Sequence, residues 1–217
     1  MAQWLYSLGG VNIHIMDESA FRWACKEGHL EVTQWLYSLG GVNIHIIDES
    51  AFRWACVRGH LEVAQWLYSL GDVNIHIDNE YAFRHTCEYG HLKVAQWLYS
   101  LGDVNIHIEN EFAFTMACEN GHLEVAQWLY NLGNVNIHIN EEYAFRWACE
   151  KGHLEVAQWL YNLGGVNIHI LNESVFRCSC YYGHLEVVQW LWSLGGFHKD
   201  GIETTHQPII DWLATLE

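Results

Sequence analysis

Val42-Asn43-Ile44-His45-Ile46, then Gly59-His60-Leu61-Glu62-Val63, then Gln65-Trp66-Leu67-Tyr68-Ser69-Leu70-Gly71: these three phrases, in this order, decide the fold. They recur with few changes along most of the 217-residue chain. Trp4, Trp35, Trp66, Trp97, Trp128, Trp159 and Trp190 follow one another at intervals of 31 residues without a slip. A fixed period in the range of roughly 20–50 residues marks stacked supersecondary units rather than one closed globule. Six full units run 11–41, 42–72, 73–103, 104–134, 135–165 and 166–196. A half unit, 1–10, precedes them, and a divergent piece, 197–217, follows as a C-terminal capping helix.

Within a unit, Val11, Ile13 and Ile15 alternate with Asn12 and His14, a period of two that reads as a short extended or hairpin arm. Asp17 is placed to cap a first helix, with Glu18 in its first turn; Asp48, Asn79, Asn110 and Asn172 repeat the cap. That helix runs to about Glu27 and stops at Gly28. A second helix spans Leu30 to Leu39 and stops at Gly40. Helices of about ten residues are marginal alone in water, so stacking must hold them. The expected class is all-α with short arms, an α-solenoid of helix-turn-helix units.

Ser19-Ala20-Phe21-Arg22-Trp23-Ala24-Cys25-Lys26-Glu27-Gly28-His29-Leu30-Glu31-Val32 resembles the ankyrin-repeat pattern T-P-L-H-x-A-A-x-x-G-H-L-E-V, and Gly40 with Val42-Asn43 resembles that family's G-A-D-V-N. The likeness covers residues 1–196. The unit is two residues shorter than the family's usual one, Ala20 stands for the proline, Arg22 for the histidine, and the finger-tip glycine is missing. Shortened, Trp-rich units of this kind are similar to ankyrin arrays of giant DNA viruses and some protists. The resemblance implies a non-catalytic protein-interaction scaffold in the cytoplasm, a host's cytoplasm if viral. It implies a concave binding side built from arm tips and first helices. It also admits a segment of a longer adaptor, such as a ubiquitin-ligase substrate adaptor with an F-box-like module elsewhere, or a spacer with no specific partner.

Comparing units with one another separates framework from freedom. Ala20, Phe21, Ala24 and Cys25 form one apolar face that hardly changes. Positions 19, 23, 26 and 27 vary from unit to unit and share another face, as does the arm tip at 16. One variable row reads Ser19, Ser50, Tyr81, Phe112, Tyr143, Ser174; the next reads Trp23, Trp54, His85, Met116, Trp147, Cys178. The last two rows read, in pairs, Lys26 and Glu27, Val57 and Arg58, Glu88 and Tyr89, Glu119 and Asn120, Glu150 and Lys151, Tyr181 and Tyr182. The candidate partner-binding residues are Tyr81, His85, Tyr89, Phe112, Met116, Asn120, Tyr143, Trp147, Tyr181 and Tyr182, because rigid aromatics and Met are what interface hot spots favour. The competing reading makes the same bulky side chains filler under shortened arms.

Ten Lys and Arg against 26 Asp and Glu give a net charge of −16. Phosphate backbones and anionic lipid surfaces would be repelled, so neither nucleic acid nor membrane is an expected partner. No apolar run approaches the roughly 18 residues of a spanning helix, and the N-terminus does not open a signal peptide. A hydrophobic share of 51% supports a large core.

Fifteen histidines invite a metal reading, but ladders repeated once per rung do not converge within bonding distance of one ion. The Gly-His histidines are instead expected to bond loop backbone. The cysteine ladder from Cys25 to Cys180 reads as small buried hydrophobes without disulfides, with Cys178 on the variable face and reacting first. Glu18–Arg22 and its equivalents read as i, i+4 ion pairs, or alternatively as an arginine row facing an acidic partner. No catalytic arrangement and no cofactor site emerge. Because Met1 falls where other units have Val32 or Val63, residues 1–10 form a second helix without a preceding rung. Early hydrogen exchange there, or weak end-to-end association of a monomer, is expected. In the tail, Thr205 is placed to cap a helix whose Ile209, Ile210, Leu213 and Leu216 face the last rung.

Overall fold

The computed structural model describes residues 12–216, so the expectations for residues 1–10 lie outside the described residues. Thirteen helices and no strand occur among them. They alternate as first and second helices of successive units: α1 (Ile15–Lys26), α2 (Leu30–Ser38), α3 (Ile46–Val57), α4 (Leu61–Ser69), α5 (Ile77–Glu88), α6 (Leu92–Ser100), α7 (Ile108–Glu119), α8 (Leu123–Leu132), α9 (Ile139–Glu150), α10 (Leu154–Leu163), α11 (Ile170–Tyr182) and α12 (Leu185–Leu194), closed by α13 (Gln207–Ala214). The chain forms two compact units. Unit 1 runs to Thr86 and includes His91–Asn105; unit 2 comprises Cys87–Gly90 and the chain from Ile106 onward.

In each unit, first helices pack on first helices: α1 on α3 in unit 1, and α7, α9 and α11 in succession in unit 2. The constant face makes this possible. Phe21, Phe52, Phe83, Phe114, Phe145 and Phe176 are all at most 1% exposed, flanked by buried Ala and Cys. Burying a side chain of that size is worth about 2–3 kcal/mol. The second-helix tryptophans tie rungs together: Trp66 lies 6.4 Å from the Phe21 ring and 5.5 Å, edge-on, from Tyr37 of the rung before. Trp159 repeats this against Phe114 and Tyr130, and Trp190 against Phe145 and Tyr161.

The arms are not extended. Asn43 Oδ1 accepts a hydrogen bond from the His45 backbone N–H at 3.0 Å, and the chain then turns tightly. The same Asx turn occurs at Asn12, Asn74, Asn136 and Asn167. Three consecutive residues of each unit follow in the left-handed region, Ile47, Asp48 and Glu49 in the second, with φ of 50°, 51° and 60°. The right-handed helix starts only after them. The alternation of apolar and polar residues therefore has another cause than strand pleating: Ile44 is buried beneath the turn, the Asn43 side chain accepts from the turn's backbone, and the His45 ring reaches the Glu49 carboxylate.

This turn also corrects two expectations about charge. Asp17, Asp48, Asn110 and Asn172 lie inside this left-handed turn, and their helices have no side-chain cap. The framework glutamate pairs with the arm histidine rather than with the arginine: His45 Nδ1 lies 2.8 Å from Glu49 Oε1, and His14–Glu18, His76–Glu80, His107–Glu111 and His138–Glu142 repeat the pair at 2.8–3.0 Å. These five carboxylates are 6% exposed. In unit 2 they also accept the next arm's backbone N–H, Glu111 from Asn136 and Glu142 from Asn167, both at 3.4 Å. The arginines donate to carbonyls of the left-handed turn: Arg22 to Met16 and Asp17, Arg84 to Asp78 and Asn79, Arg146 to Asn140. A left-handed turn leaves those carbonyls without helical partners, and a guanidinium one turn on is long enough to reach them.

The tail is a degenerate seventh unit without a first helix. His206-Gln207-Pro208-Ile209-Ile210-Asp211-Trp212-Leu213 matches His184-Leu185-Glu186-Val187-Val188-Gln189-Trp190-Leu191 position by position in residue class at the key sites. Ile209 is completely buried, as Val187 is nearly, and Trp212 meets Trp192 edge-on at 5.9 Å. The expected apolar face is narrower, since Ile210 is 39% exposed. Thr205 does not cap this helix, which has no side-chain cap: the Thr204 hydroxyl accepts from the His206 N–H in a turn just before it, and Pro208 occupies the first helical turn.

Candidate functional site

Packing Ala, Phe, Ala and Cys inward leaves the opposite face of each first helix open, and that is where the units differ. None of the ten candidate residues is buried. Tyr81, His85, Phe112, Met116, Tyr143 and Trp147 are half-buried; Tyr89, Asn120, Tyr181 and Tyr182 are exposed. Val57, which belongs to the variable rows, is buried and drops out of the open face.

In unit 1 the Lys26 ammonium lies over two indoles, 4.5 Å from Trp23 and 4.7 Å from Trp54. Arg22 completes the walls of a small cleft there. Beside it the arm tips Met16 and Ile47 are 75% and 46% exposed. Trp23, Lys26 and Trp54 lie outside the ten residues expected from sequence; their signal is a cation three residues after one Trp, with that Trp's counterpart on the next rung. Further along, Arg53 stacks on the Tyr81 ring at 4.7 Å and holds Asp78 at 2.6 Å, and Tyr81 lies 4.1 Å from the His85 ring.

In unit 2 the Tyr143 hydroxyl donates to Glu119 Oε2 of the preceding first helix at 3.1 Å. Burial, then the neighbouring Glu119 charge, push the phenol up to about 12. Tyr143 lies 5.7 Å from Trp147, whose ring carries Lys151 at 5.1 Å. Asn120 turns back to bond the Met116 carbonyl at 2.9 Å. At the last full rung, Tyr181 and Tyr182 meet edge-on at 5.1 Å around an open cleft of about 280 Å³ lined by Arg177, Cys178, Tyr181, Tyr182 and Glu203.

The Gly-His histidines lie in the turn between the two helices of each rung. A Cβ added to Gly121 would stand 2.5 Å from His153 Nδ1, so the ring lies flat on the glycine of the preceding rung. His206 occupies the same place over Gly183. The His122 and His153 rings lie close to the backbone at Glu88 and Glu119, and burial holds both imidazoles below their ordinary pKa. The thiols of Cys25, Cys56, Cys87, Cys118, Cys149 and Cys180 are buried and raised by desolvation, Cys25 and Cys180 to about 12, while Cys178 is half-exposed. Among the described residues no group of three or more His, Cys, Asp or Glu side chains is arranged to hold a metal ion. None of the described helices is long and apolar enough to cross a membrane.

Comparison with known proteins places the pattern. Two family models match, one described as ankyrin repeats (3 copies) over residues 116–204 and one as ankyrin repeats (many copies) over 21–68. Among solved structures, the crystal structure of the human ASB11 ankyrin repeat domain is similar, with a TM-score of 0.61 and 21% identity over 86% of this chain and 89% of that one. No curated protein matches.

Proposed function

Because this chain belongs to the ankyrin-repeat family, a family of protein-interaction scaffolds, we propose that it binds a protein partner through the arm tips and variable faces of its first helices. One observation carries the reading: the positions that differ between otherwise near-identical units are, with the exception of Val57 and a few small or polar residues, those the packing leaves open. A framework that only had to stack would be free to repeat one residue there. Tyr81 in unit 1 and Phe112 and Tyr143 in unit 2 replace the serine of the other three units. They bring large rigid side chains of low conformational cost, the kind that carry binding energy. Met116, Trp147, Asn120 and the tyrosines 89, 181 and 182 extend the set, and His85 stacks on Tyr81.

The test is the triple variant Tyr81→Ser, Phe112→Ser and Tyr143→Ser, the residue that the other three units use at that place. Losing a hot-spot aromatic costs a partner about 2 kcal/mol or more. Partner capture is expected to disappear while the melting temperature moves little. A large fall in melting temperature would show that the three rings are filler beneath the short arms, and the assignment would be wrong.

A further inference from the structure

The open face of unit 2 has an electrostatic character that narrows its partner. By sequence, unit 2 holds 4 Lys and Arg against 15 Asp and Glu, whereas unit 1 holds 6 against 11. Two of those carboxylates, Glu119 and Glu150, stand one helical turn after Met116 and Trp147 on the same stripe. Glu119 accepts a hydrogen bond from the Tyr143 phenol at 3.1 Å, and the Tyr182 phenol lies close to Glu150. The nearby cations are committed elsewhere: Lys151 lies over the Trp147 ring, and Arg146 donates to the Asn140 carbonyl. Among the described residues, neither carboxylate has a cationic side chain within salt-bridge distance.

A tyrosine hydroxyl donated to a carboxylate fixes its position and brings no positive charge to it. The face therefore combines half-buried Phe112, Met116, Tyr143 and Trp147 with two negative charges about one rung apart, that of Glu119 held in place by Tyr143. We infer that the occupant of this face is a cationic amphipathic segment, placing Lys or Arg on Glu119 and Glu150 and an aromatic or aliphatic side chain on the Phe112–Trp147 floor. An acidic segment would meet like charge across the whole rim, and a neutral one would leave both carboxylates desolvated without a partner. The inference rests on the reading that this face is the binding site, and deepens it by naming the partner's chemistry.

The probe is a library of short random peptides displayed on phage, selected on the full chain and sequenced. Enriched peptides are expected to carry net positive charge together with at least one aromatic or leucine side chain. They should bind more weakly as salt rises. They should lose about tenfold or more in affinity for the Glu119→Gln, Glu150→Gln variant and for the Phe112→Ser, Tyr143→Ser variant, both checked for unchanged melting. Enrichment of acidic or neutral peptides, or no enrichment, overturns the inference. Acidic or neutral peptides that nonetheless fail on the aromatic variant would reject the cationic partner and keep the face as a binding site. Cationic peptides that bind the aromatic variant unchanged would reject both.

Discussion

At the residue scale, the invariant Gly and His of each unit form one device. Gly121 adopts φ +78°, and its missing side chain is the space in which the His153 ring lies. An alanine there faces two penalties, a left-handed backbone and a ring at 2.5 Å, and is expected to destabilise unit 2 by about 2–3 kcal/mol in denaturant unfolding. Adding His153→Ala should recover the part due to the clash and leave the part due to φ. If Gly121→Ala proves neutral, the ring does not lie where the device requires. The same histidines set a pH dependence. His122 and His153 have pKa values lowered by burial, so the unfolded chain binds more protons than the folded one. Their contribution to stability is complete above about pH 6.5 and is lost as pH falls from there through their lowered values. The melting temperature should therefore drop on mild acidification, and less so in a His122→Gln, His153→Gln variant. The sequence already carried this much: a histidine repeated after every helix-ending glycine signals backbone work. What it did not carry is that the ring reaches across to the glycine one unit back, since that depends on how rungs stack.

At the scale of the element, the helix pair was legible and the arm was not. The boundaries of α2, Leu30–Ser38, follow from Gly28 and Gly40 and from the apolar spacing. The arm misled because Val-Asn-Ile-His-Ile alternates as a strand would, while the shortened unit leaves too few residues to pair as a hairpin. Met16, Asp17 and Glu18 turn the chain in the left-handed region instead, each at a cost of about 1–2 kcal/mol for a residue with a side chain. The expected Glu–Arg pairs failed for the same reason: the turn rotates Glu18 inward onto His14 and leaves its own carbonyls for Arg22. Met16 is exposed, so replacing it by glycine removes backbone strain and little packing. Met16→Gly is expected to raise stability by up to about 1 kcal/mol, measured by thermal unfolding; a clear loss would contradict the left-handed turn. The first helices make a second prediction. With six thiols buried and raised in pKa, a bulky thiol reagent at neutral pH should modify Cys178 first and the others only as the protein unfolds. Fast modification of all seven in the folded protein would show the ladder is open.

At the scale of the whole molecule, the period of 31 residues announced a stack long before any contact was known, because no other arrangement lets near-identical units bury the same face. The end of the array was less legible. Residues 206–213 repeat the second-helix pattern nine residues early, so a search at fixed spacing passes over them; their fully buried Ile209 shows how the last rung is closed. Which face serves binding is the part that fold alone does not dictate. The account puts it on the arm tips and first helices, where open side chains vary, and leaves the second helices, with their recurring Glu, Gln and Tyr, facing solvent. The direct measurement is a hydrogen-exchange footprint of the complex with a captured partner. Protection is expected over the first helices and arm tips around Phe112, Met116, Tyr143 and Trp147, with the second helices from Leu123 and Leu154 unchanged. Protection confined to those second helices would contradict the account.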